Sequence, residues 1–257
     1  MKQIICTQFA DGWMELLEHL CRSAFTQPRG LRCYEEDCVA FRLVDLRNNI
    51  LVHPARKMNY RFMVAEWLWV LRGRNDLASL AEYNSKMTAF SDDGIILAGA
   101  YGPKLQTQWE YILGELRHRD TRRAVATIWT PVPEPSKDIP CTVALQWLLR
   151  DSQLNCIVTM RSSDIWLGLP YDMFVFSQIT SNLAASLQVE TGWIQFNLGS
   201  SHLYEEHWHQ AKDVTDNSQH GLTLRSPRLA ETNKYQIVLL SKTSAEALEI
   251  LNRMSKL

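Results

Sequence analysis

The segment from Met58 to Gly73 constrains the fold more than any other part of this chain. Its apolar residues recur at helical spacing but wrap almost the whole circumference, and Gly73 ends it. A helix of that kind is buried, so other elements have to enclose it. One acid stands inside it, Glu66, in Val64-Ala65-Glu66-Trp67-Leu68-Trp69. A buried, unpaired carboxylate costs several kcal/mol or takes up a proton. Glu66 is therefore either kept for function or paired with a buried neighbour such as Arg61 or Arg72.

The remaining pattern supplies the enclosure. Phe9 to Phe25 has helical spacing, with Asp11 placed to cap it. Arg29 to Arg56 reads as a loop with short strands, Ser91-Asp92-Asp93-Gly94 as a turn, and Leu105 to Leu116 as a helix. A β-rich half follows: Ala124 to Thr130, Thr142 to Leu149, Leu154 to Met160 and Trp193 to Leu198, with Arg150 to Gln153 turning between the second and third strands. Pro131 to Pro140 is a loop, Met173 to Leu187 a helix with Asp172 at its start, and Ala245 to Met254 an amphipathic helix. The reading is one α+β domain over residues 1–257.

Composition excludes several classes. The chain has 257 residues, 46% hydrophobic and 21% charged, with a net charge of -1, which offers no footprint for nucleic acid or an anionic membrane. No apolar run reaches the length of a membrane span, and the N-terminus lacks the apolar core of a signal peptide, so the expected setting is the cytoplasm. Six scattered cysteines fit free thiols in a reducing compartment. Cys33 and Cys38 could pair or hold a metal, but no second pair has ligand spacing.

The chemistry-bearing residues cluster in Pro140-Cys141-Thr142, Met160-Arg161-Ser162-Ser163-Asp164 and Leu167-Gly168-Leu169-Pro170-Tyr171-Asp172. Cys141 is either an inert buried thiol or a nucleophile, and nearby positive charge favours its thiolate. Guanidinium forks match phosphate oxygens, which gives Arg161, and Arg122-Arg123 before it, a role in anion binding; for Arg122-Arg123 a plain surface position is the alternative. Tyr101 sits between glycines in Gly99-Ala100-Tyr101-Gly102. His202, His207 and His209 form no trusted metal signature, and His207-Trp208-His209 alternates like a strand edge, so no metal is expected. Asp172, read by itself, suits a helix cap at Met173.

Taken in order and spacing, these blocks resemble the thymidylate synthase superfamily from about Arg56 to Tyr204. The resemblance implies an α+β sandwich on a large twisted mixed sheet. It implies Cys141 as nucleophile, Glu66 and Tyr101 as proton managers, and Arg161 and Ser162 as phosphate ligands with Asp164 beside them. His202 and Tyr204 would bind the sugar hydroxyl, and Arg29, or its rival Arg32, a further phosphate oxygen. It also implies 5,10-methylenetetrahydrofolate as co-substrate, a pyrimidine nucleoside monophosphate as substrate, and a homodimer in which Arg122 and Arg123 reach the partner's site. Asp172 stands where the superfamily carries its uracil-reading asparagine, and Cys141-Thr142 replaces the usual Cys-His. Both features resemble the cytidylate 5-hydroxymethylase branch, acting on CMP or dCMP. No tryptophan lies within Met87-Thr88-Ala89-Phe90, where a lid over the reacting carbon belongs, and Ile250 to Leu257 lacks a proline-containing sealing tail. Both departures favour water over hydride as the final reactant. A methylase on the same nucleotide, a uridylate-type enzyme, and an inactive nucleotide- or RNA-binding homologue are the rival readings.

Overall fold

The computed structural model describes residues 2–118, 120–130, 134–216, 221–226 and 232–256, the side chains of 232–234 aside. The helices are α1 (Phe9–Leu20), α2 (Tyr60–Leu71), α3 (Leu77–Ala81), α4 (Tyr101–Arg117), α5 (Leu169–Leu187), α6 (Glu205–Asp216), α7 (Thr232–Leu240) and α8 (Ser244–Ser255). The strands are β1 (Gln3–Cys6), β2 (Ala24–Thr26), β3 (Cys33–Leu43), β4 (Ile50–Val52), β5 (Val125–Thr127), β6 (Thr142–Arg150), β7 (Gln153–Met160), β8 (Ser163–Asp164), β9 (Glu190–Tyr204) and β10 (Leu222–Leu224). This is an α+β fold on an eight-stranded mixed sheet in the order β1-β3-β9-β7-β6-β5, with β2 beside β3 and β8 beside β9. The β9 strand runs antiparallel to β3 but parallel to β7 and β8. A separate β4–β10 pair completes the strands.

The helix around Glu66 is enclosed as its composition requires: Met63, Val64 and Trp67 of α2 are buried against α5, α7 and α8. Trp67 meets Phe174 of α5 and Tyr235 of α7 edge-on. The β6–β7 hairpin follows its alternation, with Leu145, Trp147, Leu154, Cys156 and Val158 turned into the core.

Several expectations change. The first helix ends at Leu20 rather than Phe25, because β2 takes Phe25 into a pair with Tyr34. Gln8, not Asp11, holds its N-cap position; Asp11 lies in the first turn, where its charge faces the helix N-terminus. The stretch from Arg29 contains one eleven-residue strand, β3, instead of short ones. Tyr101, between its two glycines, opens α4 after Ala100. His207-Trp208-His209 lies in α6 and not at a strand edge. Cys33 and Cys38 are both free, one buried and one exposed, which removes the pairing option. Of the loop expected from Pro131, residues 131–133 lie outside the described residues.

One close approach shapes the site. Along β9 the buried positions are even-numbered through Leu198 and odd-numbered at Ser201 and Leu203. The change falls at Gly199, where a Cβ would come within 2.9 Å of the Arg161 carbonyl. Beyond it, Ser200, His202 and Tyr204 leave the core and line a cavity.

Candidate active site

Cys141 ends the loop before β6, and its carbonyl accepts from the Arg161 N–H at 2.9 Å just beyond β7. The hairpin thus folds the two residues together. The Arg161 guanidinium donates to the carbonyls of Pro140 (2.9 Å) and Ile139 (3.0 Å) and stands 3.7 Å from Cys141 Sγ. It also lies over the Trp129 ring. Burial pushes the Cys141 thiol up, with Arg161 and Arg29 pulling it down and Asp172 and Asp138 pushing it further up.

Beside the thiol is a cavity of about 420 Å³ whose wall includes Arg29, Arg161, Ser162, His202, Tyr204 and Glu35. Ser162 Oγ is 3.3 Å from His202 Nδ1. The choice between Arg29 and Arg32 has a geometric answer as to place: Arg29 lines the cavity, whereas Arg32 pairs with Glu205 at 2.9 Å and covers Phe25. Arg29 is held in a left-handed turn at φ 52°. Burial drives the His202 pKa down, with Asp164 and Glu35 opposing the shift and Arg161 and Arg29 adding to it.

The carboxylates come from two helices, α2 and α5, and from the end of the short strand β8. Asp164 Oδ1 accepts from the N–H groups of Trp166 (2.9 Å) and Leu167 (2.8 Å), which bends the chain into α5. The α5 helix begins at Leu169 with Gly168 at the N-cap and Pro170 in its first turn. Asp172 is therefore inside the first turn, and the reading of it as cap to a helix from Met173 fails. Burial and then the Asp164 charge push its pKa up to about 7. Glu66, across from α5 on α2, is pushed up to about 8 by burial and by Asp172. The Arg61 alternative is not taken up, since that side chain covers Tyr83 and points to the Leu239 carbonyl. Tyr101 stacks on Phe176 of α5 with ring centroids 5.8 Å apart. Its phenol is held well above the usual range by burial, then by Asp172 and Cys141, and it lies against Thr142.

Cys141, Asp172, Glu66 and Tyr101 thus feel one another's charge, with the arginine-lined cavity next to them. Arg122 and Arg123 do not join them within one chain. They flank a second, open hollow with His118 and Asp120, and Arg123 pairs with Glu115 at 3.1 Å. Sequence reasoning misses Glu35, which accepts from Ser200 and from Thr26 Oγ1, as well as Asp138 and Trp129. Only the position of Trp129 next to a strand end could draw notice. The described residues hold no cluster of metal-ligating side chains and no helix long and apolar enough to cross a membrane.

A thiol, a guanidinium and half-buried carboxyls thus gather close to an arginine-lined cavity. The chain belongs to the thymidylate synthase family, whose model matches residues 30–251. It is similar to a deoxyuridylate hydroxymethyltransferase of Bacillus phage SP01, 30% identical over 254 residues, covering 88% of this chain and 66% of the relative. A deoxyuridylate hydroxymethyltransferase of Pseudomonas phage M6 is 31% identical over 185 residues, covering 68% of this chain and 53% of the relative. The alignments thus span just under two thirds and about half of these relatives' lengths.

Proposed function

We propose that the protein hydroxymethylates C5 of a cytosine nucleotide, CMP or dCMP, with 5,10-methylenetetrahydrofolate as one-carbon donor. The observation that carries this reading is the Asp172 carboxyl, half-buried in the first turn of α5 beside Cys141 and Tyr101 and pushed up to about 7, so that it stands near half protonation at neutral pH. Cytosine presents an acceptor at N3 and a donor at its exocyclic amine, and a carboxylic acid answers both. When a thiolate adds to C6, electron density moves toward N3, which then takes the Asp172 proton. The resulting carboxylate faces two donors, N3–H and the amine. The protonated acid can also meet uracil O4, so the discrimination lies with the ionised form, which favours N3-protonated cytosine and repels the developing charge on O4 of a uracil adduct.

The other residues follow from their positions. Arg161, with Arg29 and Ser162, holds the phosphate and favours the Cys141 thiolate. His202 and Tyr204 take the sugar hydroxyl. Glu66 and Tyr101 hold and move protons at C5 and the base edge. The folate, when bound, supplies a methylene at the oxidation level of formaldehyde. With Phe90 almost half exposed (46%) and no tryptophan in its segment, water reaches the exocyclic methylene that forms on the base. Arg122 and Arg123 would serve the site of a second subunit.

A second reading is hydroxymethylation of dUMP, which the names of the two phage relatives favour. Mass spectrometry of products from CMP, dCMP and dUMP, each with methylenetetrahydrofolate, separates the two. A cytosine nucleotide gaining CH2O supports the proposal; turnover of dUMP alone overturns it; gain of CH2 makes the protein a methylase.

A further inference from the structure

Every residue from Ser136 to Pro140, the loop that delivers Cys141, is tied down, and the ties run to three places. Ser136 Oγ and the Lys137 N–H (3.0 Å) donate to Asp92, and Lys137 Nζ donates to the Ser91 carbonyl at 3.3 Å. Ile139 and Pro140 give their carbonyls to Arg161. Between them, Asp138 Oδ2 accepts from the Gly99 backbone N–H at 2.7 Å, while the Asp138 N–H donates to Ser136 Oγ at 3.0 Å. Gly99 is needed for this contact, because a Cβ there would stand 2.3 Å from the Asp138 carbonyl oxygen. Gly99 lies two residues before Tyr101, and Asp138 three before Cys141. One half-buried carboxylate therefore joins the segment carrying the phenol to the segment carrying the thiol.

We propose that Asp138 is a positioning residue that fixes Cys141 relative to Tyr101. Its consequence in turnover rests on the one-carbon-transfer reading, but not on which base is bound. A backbone N–H donating to a carboxylate is a strong, short tie, and sub-ångström placement of reacting groups governs rate. The same carboxylate places negative charge toward the thiol. The groups facing Cys141 are Arg161 and Arg29, which favour the thiolate, and Asp172 and Asp138, which oppose it, with Tyr101 alongside. Asp138 itself faces Lys104, which offsets its charge, and Asp92, which adds to it.

The test uses the full chain with Asp138→Asn and Asp138→Ala, read by steady-state kinetics and by the pH profile of iodoacetamide labelling at the Cys141 peptide. Asparagine keeps an oxygen for the Gly99 N–H, so its kcat should stay within about threefold of wild type. Alanine should lose about tenfold or more in kcat while KM for the nucleotide changes less than about twofold, since the cavity is untouched. Both variants remove a charge that opposes the thiolate, so both labelling midpoints should fall to lower pH. Wild-type kcat in Asp138→Ala, or an unmoved midpoint in Asp138→Asn, overturns the proposal. If the wild type turned over no pyrimidine nucleotide, the functional reading would fail by itself. Labelling, which needs no substrate, would still decide the role of Asp138. Should the alanine variant not fold, Gly99→Ala, whose Cβ would stand 2.3 Å from the Asp138 carbonyl oxygen and displace the tie from its other side, carries the same kcat test, and wild-type kcat there overturns the proposal.

Discussion

Replacing Asp172 by asparagine isolates proton delivery from shape. An amide donates to cytosine N3 and accepts from the amine about as well as a carboxylic acid, so KM for the cytosine nucleotide should stay within about threefold. It has no proton to give when thiolate attack makes N3 basic. General acid catalysis of this kind contributes about 10²-fold to 10⁴-fold, so kcat should fall by at least ~100-fold, equivalent to about 2.7 kcal/mol in the barrier. The pH dependence carries a second signature. Attack needs thiolate at Cys141 and acid at Asp172, and that form has the same proton count as thiol plus carboxylate. Wild-type activity should therefore hold from about pH 7 up to the raised thiol pKa, and fall below about 7 where both groups are protonated. In Asp172→Asn the limb near pH 7 should vanish, leaving a rate that climbs with the thiolate. The assay is product mass spectrometry combined with initial rates on CMP, dCMP and dUMP across pH. Cytosine turnover within about threefold of wild type, with the limb near pH 7 intact, would refute the assignment of Asp172 as the proton donor.

Two further outcomes follow from the same geometry. Glu66 has a pKa raised from 4.5 to about 8 on folding, so its ionisation opposes folding above pH 4.5 and does so fully only above about pH 8. The cost is at most ~5 kcal/mol, less where water in the cavity reaches the carboxyl. Glu66→Gln should therefore raise Tm at about pH 9 and leave it unchanged at about pH 4; an equal gain at both would count against a buried, ionising Glu66. Arg29→Ala should raise KM for the nucleotide about tenfold or more, as loss of a charge-assisted phosphate contact does. Arg32→Ala, whose guanidinium is spent on exposed Glu205, should move KM less than about twofold; the reverse ranking would show the two roles exchanged.

Much of the architecture is legible in the sequence because it is written locally. The all-round apolar α2 and the β6–β7 hairpin announce themselves through periodicity, and Cys141 and Arg161 come together because that hairpin brings its ends into register. The long β3 is hidden because Glu35, Glu36 and Asp37 interrupt its apolar alternation, and its partner β9 lies far along the chain. The contact of Glu35 with Ser200 spans 165 positions, which no local pattern reports. Helix α6 escapes notice because His207-Trp208-His209 alternates like a strand, while its side chains are placed by tertiary contacts, Trp208 stacking on Tyr34. Asp172 looks like a cap because the apolar run begins after it, whereas Gly168 and Pro170 start the helix earlier.

The β9 strand also fixes when the molecule can become reactive during synthesis. It supplies His202 and Tyr204 to the cavity, and its pairing with β3 and β7 joins the two halves of the sheet. A nascent chain that has emerged only as far as the Cys141–Arg161 hairpin has its thiol and guanidinium side by side but no completed cavity wall. Because β9 is among the last strands made, a chain stalled on the ribosome before Tyr204 carries that thiol without the cavity beside it.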